Sequence, residues 1–300
     1  MSKFSIKSIL QISILSLLIG LVNGCAVSAS DAETKASEKQ NVQPVVSEEK
    51  SPVGAKNSAS KHKIQMTSGS PADAVRIFYK NLRERHFKEA MMMTNLRHAV
   101  EGLSDEEMQD LSGDFEPLAA QVPAEIEING EIITNNLATV TAKLPNNETG
   151  QIELTKVELR REKDAWVIIT AGKEAEDVAK KEGKNYFFTL RIDVHHVEVE
   201  RMMQRIAKAQ AIYALQNGGV FTDLQTLVSG SLLPDDVNST KSTGYHFSLL
   251  VGANNKKYFV SAVPEVYGKT GKLSFYMEAD GVDRQARLKS NDNKGQPLKK

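Results

Sequence analysis

Length, composition and charge exclude several classes of function. The chain has 300 residues, with 38 Lys and Arg against 38 Asp and Glu, and it has a single cysteine. Balanced charge gives no net positive face for nucleic acid, and one cysteine can form neither an intramolecular disulfide nor a thiolate metal site. The sequence lacks zinc-protease, nucleophile-elbow, Walker and dinucleotide-glycine motifs. We therefore expect no nucleic-acid partner, no metal and no cofactor, and we expect that the protein is not an enzyme.

The first 25 residues have the pattern of an export signal. Lys3 and Lys7 precede an apolar run from Ile9 to Leu21. The run is roughly 13 residues long, which suits a signal peptide and is shorter than a transmembrane helix. It ends at Val22-Asn23-Gly24-Cys25, which resembles the lipobox of bacterial lipoproteins. The resemblance implies that residues 1–24 are a signal peptide and that Cys25 carries a diacylglyceryl (palmitate-type) lipid.

The predicted cellular location is the cell envelope. Two or three acyl chains anchor a protein stably to a membrane, and Ala26 follows the cysteine in place of an aspartate. We therefore expect an exported, lipid-anchored protein, in the outer membrane if the cell has two membranes. An ordinary cleaved signal peptide with an incidental thiol at Cys25 is the alternative.

A tether is predicted at residues 25–69. Residues 26–68 contain no aromatic residue and are rich in Ser, Ala, Lys and Glu. Such a segment cannot bury enough apolar surface to offset the entropy of ordering it. We expect it to be disordered and to hold the folded part away from the lipid.

An α+β domain is predicted at residues 70–171, because helical periodicity comes first and strand periodicity follows. Ser70 and Pro71 suit the N-cap and first turn of a helix that runs to about Arg85. Further helices are predicted at 87–95 and from Ser104. From Ala124 the apolar period becomes two, which predicts strands at 126–128, 137–144, 152–161 and 165–170. Turns or bulges are predicted at Asn129-Gly130, Asn135-Asn136, Asn146-Asn147 and Lys163-Asp164.

This first domain resembles a known family. The matching residues are the opening Ser70-Pro71…Ala74-Val75…Phe78-Tyr79, the step Phe87-Lys88-Glu89-Ala90, and the closing Val157-Glu158-Leu159…Asp164-Ala165-Trp166-Val167-Ile168. Together they are similar to the nuclear-transport-factor-like (cystatin-like) cones found in many small bacterial lipoproteins. The resemblance implies a curved antiparallel sheet wrapped around a long helix, with a pocket at the open end.

A linker is predicted at residues 172–194 and a second α+β domain at residues 195–290. The charged segment 172–184 suits a short helix, and the alternation in 185–194 favours a strand. A long helix is predicted at 197–217, followed by a short helix that Thr222 caps and that ends near Val228. Strands are predicted at 245–251, 258–263 and 273–277, with a fourth near 282–287, so that the long helix packs on an antiparallel meander. Residues 291–300 are predicted to be a disordered tail.

The second domain contains a series of motifs in a fixed order: Ala209-Gln210-Ala211-Ile212-Tyr213, Leu224…Leu227-Val228…Leu232-Leu233, Gly244-Tyr245-His246-Phe247, Tyr258…Ala262-Val263-Pro264 and Gly271…Ser274-Phe275-Tyr276…Gly281-Val282. Over roughly 90 residues this series resembles the globular half of bacterial type IV pilins and pseudopilins. Pilins precede this domain with a membrane-spanning helix. In this chain the segment at the corresponding position is charged, so it is not expected to enter a bilayer. Its polar residues are Arg191, Asp193, His195, His196, Glu198, Glu200 and Arg201.

Candidate catalytic or metal-binding residues all have a simpler structural interpretation. Adjacent His195 and His196 cannot face one metal ion, so we expect one half-buried ring and one solvated ring. Asp105-Glu106-Glu107 suits the first turn of a helix. Met91-Met92-Met93 is expected to fill core in preference to lining a pocket, and Trp166 is expected to anchor the core.

Strand carboxylates offer no buried acid–base pair in the first domain. These carboxylates are expected to face away from the core. They are Glu125, Glu127 and Glu131, which alternate with Ile126, Ile128 and Ile132, and Glu153 and Glu158 on later strands. His86 and Tyr79 stay open as candidates for a polar group inside the cone.

These expectations favour a non-catalytic binding or assembly lipoprotein. It would dock other envelope proteins, with pilus or type II-like secretion components as the candidates. A small apolar ligand site or a weak isomerase-like site in the cone is the first alternative, and a purely structural envelope lipoprotein is the second. Cys25, as the lipid attachment site, is the one functional residue that the sequence assigns.

Overall fold

The structure is a computed structural model that describes residues 69–146, 149–281 and 286–298. The predicted signal peptide, Cys25 and the tether up to residue 68 lie outside the described residues. Within the described ranges the chain is α+β, with two four-stranded antiparallel sheets and one long helix. No described helix has both the length and the apolar character needed to cross a membrane.

The first sheet is an antiparallel meander in the order β1-β2-β3-β4, preceded by helices. Its elements are α1 (Pro71–Arg83), α2 (Phe87–Met92), α3 (His98–Glu101), α4 (Asp105–Ala119), β1 (Ile128–Thr134), β2 (Leu137–Pro145), β3 (Ile152–Glu162) and β4 (Ala165–Ile168). The predicted succession of helices and then strands is therefore confirmed, but α3 was not predicted and β1 begins at the last residue of the strand predicted at 126–128. One face of this sheet packs with α1 and α4 into an apolar core.

Side-chain caps fix where two of these helices begin. The Ser70 hydroxyl accepts a hydrogen bond from the Asp73 amide at 3.1 Å, and Pro71 occupies the first helical position of α1. At α4 the Ser104 hydroxyl accepts from the Glu107 amide at 3.2 Å, while the Glu107 carboxylate accepts from the Ser104 amide at 3.0 Å. These contacts satisfy amide groups that have no acceptor within their own helix.

A bulge in β1 reverses which side chains face the core. Ile128 pairs with Ala142 and Gly130 pairs with Thr141, so Asn129 is an extra residue between them. An extra residue moves every later side chain to the opposite face. The prediction that Ile132 faces the core is therefore wrong, because Ile132 pairs with Thr139 and is 70% exposed.

The same bulge corrects the prediction for Glu131. Glu131 pairs with Val140, whose side chain is fully buried, so it lies on the helix-facing side of the sheet. Its carboxylate accepts a hydrogen bond from the Ala72 amide at 3.0 Å, at the N-terminus of α1. Glu131 is exposed and stabilises the start of that helix, where a negative charge is favourable.

The second half continues with α5 (Lys173–Glu182), a 3₁₀ turn (Gly183–Asn185), α6 (Tyr186–Gln216), α7 (Leu224–Ser229), β5 (Tyr245–Val251), β6 (Lys257–Pro264), β7 (Leu273–Asp280) and β8 (Arg287–Asp292). The strands form an antiparallel meander in the order β5-β6-β7-β8. Asp223 caps α7, since its carboxylate accepts from the Thr226 amide at 2.8 Å, so the prediction that Thr222 is the cap is wrong.

The end of the second sheet also differs from the prediction. The fourth strand begins at Arg287, and residues 282–285 of its predicted span lie outside the described residues. Asn291 and Asp292, placed in a disordered tail, belong to β8 and pair with Ser274 and Leu273. The Asn293 side-chain amide then donates to the Gln296 and Pro297 carbonyls, so the chain has a defined turn at 293–297.

Helix α6 belongs to both apolar cores. It is one helix of 31 residues, so the strand predicted at 185–194 is wrong. Tyr186, Phe187 and Phe188 in its first turn are buried in the core of the first half. Later residues on the same helix, from Val199 to Ala214, are buried in the core beneath the second sheet.

Between the two cores, α6 and the β6–β7 loop form ion pairs with α4 of the first half. The Arg191 guanidinium is 6% exposed and donates to the Asp114 carboxylate at 2.8 Å and to the Asp110 carboxylate at 3.1 Å, both on α4. Lys269, from the β6–β7 loop, forms a second ion pair with Asp110 at 3.1 Å. Burial raises the pKa of Asp114, and the neighbouring Arg191 opposes that rise.

The adjacent histidines hold the β6–β7 loop against α6. His195 Nδ1 lies 2.8 Å from the Thr270 carbonyl oxygen, which can only accept, so that nitrogen carries the proton. His196 Nε2 accepts from the Lys272 and Leu273 amides at 3.2 and 3.3 Å. The prediction that one of the two rings is solvated is therefore wrong, because His195 is buried and His196 is half-buried. Burial lowers the pKa of both rings, and for His195 the bond to the Thr270 carbonyl opposes this lowering. For His196 the neutral ring is the form whose Nε2 can accept the two amides.

Candidate functional site

A cavity of about 190 Å³ lies in the first half between α1 and the sheet. Helix α1 presents one apolar face to it, β3 forms the opposite wall, and the segment from the end of β4 to the start of α5 closes one side. The lining residues are Phe78, Tyr79, Leu82, Leu118, Thr155, Lys156, Val157, Glu158, Ile168, Ile169, Thr170, Ala171 and Gly172. The walls are mainly apolar, with a few polar groups among them.

The cavity borders a stretch of β3 that is paired on one side only. Strand β4 pairs with β3 over Leu159–Glu162, and the Ile169 amide donates to the Glu158 carbonyl at 2.8 Å. Beyond that point the chain turns away from β3 towards α5. Within the described residues, Ile152–Val157 is therefore paired only with β2, and the cavity opens in the gap that the departing chain leaves.

Tyr79 is the polar side chain of α1 in the cavity wall. It is 8% exposed, and its hydroxyl forms no hydrogen bond with any described residue. Burial raises the pKa of the phenol well above its usual value. The group is therefore a neutral hydroxyl at physiological pH and can donate a hydrogen bond to an occupant of the cavity.

Asn95 fixes the segment that closes the cavity. Its side-chain oxygen accepts from the Thr170 amide at 3.0 Å, the Ala171 amide at 3.2 Å and the Thr170 hydroxyl at 3.2 Å. Its side-chain nitrogen donates to the Ala171 carbonyl at 2.7 Å. Asn95 is 2% exposed, so these buried bonds give residues 170–171 a single arrangement.

A buried ion pair stabilises the other side of the same segment. Both Arg160 amino groups donate to the Glu176 carboxylate at 2.8 Å, in the bidentate geometry that favours guanidinium–carboxylate pairs. Lys180 and Asn95 also donate to Glu176. Arg160, and next the Lys180 and Asn95 side chains, hold the pKa of Glu176 far below its usual range against the opposing effect of burial. Glu176 is therefore ionised and ties α5 to β3.

Helix α5 begins at the cavity without a side-chain cap. Its N-cap is Gly172, which lines the cavity and has no side chain that could accept a hydrogen bond. The Glu176 amide donates to the Gly172 carbonyl, as expected in a helix. The amides of Lys173, Glu174 and Ala175 donate to no described residue. These three amides follow Gly172, the last residue of this segment that lines the cavity.

Of the two residues left open by the sequence, the structure places one in the cavity. Tyr79 lines it, whereas His86 has an exposed side chain near Glu84. Glu125, Glu127, Glu153 and Glu158 are exposed as predicted, and of these Glu158 lies at the rim of the cavity. Among the described residues there is no group of three or more His, Cys, Asp or Glu that could hold a metal ion.

The remaining candidates have structural positions. Asp105, Glu106 and Glu107 form the first turn of α4 as predicted. Met91 is fully buried in the core, while Met92 is exposed and none of the three methionines lines the cavity. Trp166 is only partly buried, and the Arg161 guanidinium lies 5.9 Å from its ring centre.

Comparisons with known proteins add little to this geometry. No family model matches the chain, and no curated protein sequence is significantly similar to it. Among solved structures, a Campylobacter jejuni protein named as a candidate NTF2-like transpeptidase is similar at 20% identity, over 33% of this chain and 97% of that chain, with a TM-score of 0.24. At that TM-score the likeness supports no argument about function, and the site described above rests on this chain's own residues.

Proposed function

We propose that the protein is a lipid-anchored envelope protein whose first α+β domain binds a small, largely apolar molecule. The cavity carries the proposal, because it combines apolar walls with the unpartnered Tyr79 hydroxyl. Apolar concavities with a few convergent polar groups are the usual form of small-molecule sites. A cavity of about 190 Å³ is small for such a site and suits a ligand of about ten non-hydrogen atoms.

The anchor in this proposal is the lipid on Cys25. It is supported by the resemblance of Val22-Asn23-Gly24-Cys25 to a lipobox and by the absence of any other cysteine from the sequence. In cells grown with radioactive palmitate we expect label on the wild-type protein and none on the Cys25→Ser variant, because the variant has no sulfur to acylate. Immunoprecipitation followed by autoradiography measures this. Absence of label from the wild-type protein would contradict the anchor.

Toluene is a suitable probe of the binding site, because it has seven heavy atoms and no polar group. We expect amide shifts of residues that line the cavity when toluene is titrated into the ¹⁵N-labelled full chain. The Thr155→Phe variant should weaken toluene binding more than about tenfold, since Thr155 lines the cavity and a phenyl group would fill it. Leu154→Phe is the matched control, because Leu154 is the preceding residue on β3 and is exposed. Equal binding by both variants would place the site elsewhere.

Docking to other envelope proteins is a second candidate function. It is supported by two large aliphatic side chains that are each more than half exposed on one face of the sheet near the tip of the β1–β2 hairpin: Ile132 and Leu137. Grouped exposed apolar side chains commonly mark interaction sites. With the pilin-like pattern of the second domain, they favour pilus or type II-like secretion components as partners. Unchanged pilus assembly and secretion in cells without the protein would count against this candidate.

A further inference from the structure

The start of α5 offers hydrogen-bond donors to the cavity. The first amide groups of a helix have no intrahelical acceptor and carry the positive end of the helix dipole. In α5, a helix of 10 residues, Gly172 at the N-cap supplies no side-chain acceptor. The amides of Lys173, Glu174 and Ala175 therefore have no described partner. Such a helix end favours an anionic group.

The Tyr79 hydroxyl is a second, independent indication that the ligand carries a hydrogen-bond acceptor. Its side chain is more than nine-tenths buried, and its hydroxyl has no described hydrogen-bond partner although it belongs to the cavity wall. A hydroxyl without a protein partner can hydrogen-bond to water or to a bound group. Tyr79 and Gly172 line the same cavity, so a single small ligand can contact both.

We infer that the ligand of this cavity is a small apolar carboxylic acid, bound as its carboxylate. The carboxylate accepts hydrogen bonds from the first amides of α5 and from the Tyr79 hydroxyl. The apolar body lies among Phe78, Leu82, Leu118 and Val157. The inference rests on the proposed function and adds the chemical class of the ligand.

The charged side chains near the cavity do not decide this preference. Lys156 and Glu158 line the cavity, and Lys173, Glu174 and Glu176 lie in the first turn of α5. The Lys173 ammonium is paired with Asp177 and the Glu176 carboxylate with Arg160, so the cation Lys156 and the anions Glu158 and Glu174 remain and give no net positive charge. The unsatisfied donors of α5 and Tyr79 are therefore what distinguish a carboxylate from a neutral ligand of the same shape.

Benzoate and benzamide test the inference, because they share a shape and differ in charge. We expect the full chain to bind benzoate about tenfold more tightly than benzamide in an NMR titration, which is the difference expected for a hydrogen bond to a charged acceptor. Tyr79→Phe, which removes only the hydroxyl, should weaken benzoate binding several-fold and leave toluene binding unchanged.

A variant at the helix end tests the second donor. Gly172→Asp places a carboxylate at the N-cap, where it accepts the α5 amides itself. We expect benzoate binding to weaken about tenfold and toluene binding to persist. Gly172→Ala is the control, because the backbone of Gly172 has an ordinary negative φ of −65° and alanine adds no acceptor. Thermal unfolding of each variant shows whether it is folded before binding is measured.

Each outcome bears on one of the two proposals. Benzamide bound as tightly as benzoate, together with toluene binding, would overturn the carboxylate inference and leave the apolar site in place. Failure of the wild-type protein to bind toluene, benzamide and benzoate would overturn the proposed function and the inference with it. Benzoate shifts confined to residues outside the cavity would also overturn the inference.

Discussion

The Arg191→Met variant is expected to lose about 3 kcal/mol of the free energy of unfolding, because breaking a buried ion pair strands the remaining charge. Arg191 donates to Asp114 and Asp110, and it is 6% exposed. Methionine fills much of the same space without a charge, so the Asp114 carboxylate is left buried without its cation. Urea unfolding followed by circular dichroism at pH 7 measures the loss.

Arg85→Met is the matched control. Arg85 pairs with Glu116, which lies on α4 as do Asp110 and Asp114, and both side chains are 49% exposed. Exposed pairs contribute less than about 1 kcal/mol, so the control should change the stability little. An equal loss in the two variants would show that the junction between α4 and α6 is not a buried ion pair in solution.

The stability deficit of Arg191→Met should shrink as the pH falls from 7 towards 5. Burial already raises the pKa of Asp114, and removing Arg191 removes the main cause that opposes this rise. A carboxyl group whose pKa is higher in the folded than in the unfolded chain stabilises the fold at low pH and loses that effect as the pH rises. Unfolding curves of the variant and wild type across this range provide the test.

The second large effect is expected for Glu176→Gln, which should lower the free energy of unfolding by about 2 kcal/mol at pH 7, because charge-assisted hydrogen bonds to a buried carboxylate are lost. Arg160 and Lys180 both lose this contact, but their side chains are 29% and 44% exposed and Arg160 keeps its pair with Glu162. The substitution also weakens the contact between Glu176 and Asn95, which positions the wall of the cavity. Urea unfolding measures the stability, and Glu174→Gln, an exposed neighbour in the same turn, is the control.

The effect of Glu176 should depend on pH in a defined direction. Its pKa is far below the ordinary 4.5, chiefly because of Arg160. Such a group stabilises the fold fully above its unfolded pKa, and this contribution is lost as the pH falls. Wild type and Glu176→Gln should therefore differ most near pH 7 and converge below about pH 4.5. A difference that stays constant from pH 7 to pH 3 would contradict the ion pair.

Local signals in the sequence predicted most of the elements. The Ser70 and Ser104 caps mark the true starts of α1 and α4, since both hydroxyls accept the expected amides. The alternation of residues predicted β5 at its observed bounds, because a half-buried strand places every second side chain in the core. Signals of this kind involve residues three or four apart, or two apart, and need no tertiary information.

The predictions failed where tertiary contacts or a bulge changed the expected spacing of apolar residues. The strand expected at 185–194 is part of α6, which contacts two different cores, so its apolar residues do not form one stripe. At Ile132 the predicted alternation was broken by the bulge at Asn129-Gly130. The sequence offered this dipeptide as a turn or bulge, and only the pairing with β2 decides between them.

The candidate site was only partly predictable. Tyr79 could be named because it lies on an amphipathic helix of a predicted cone. Asn95, Arg160 and Glu176, which fix the cavity wall, are far apart in the sequence and belong to no motif. Each is an ordinary polar residue whose burial arises from the packing of α5 on the sheet. No periodicity or spacing signals such a contact.

The shared helix α6 limits how the protein could be divided into independent pieces. A fragment that ended before Tyr186 would lose three aromatic side chains from its core, and the Phe115 ring, which lies 5.1 Å from that of Phe187, would lose a cover. A fragment that began at His195 would keep its apolar core but lack Arg191, the residue through which the helix binds Asp110 and Asp114. Evolutionary exchange of one half for another domain would therefore have to carry the helix with it, or rebuild the face that the helix covers.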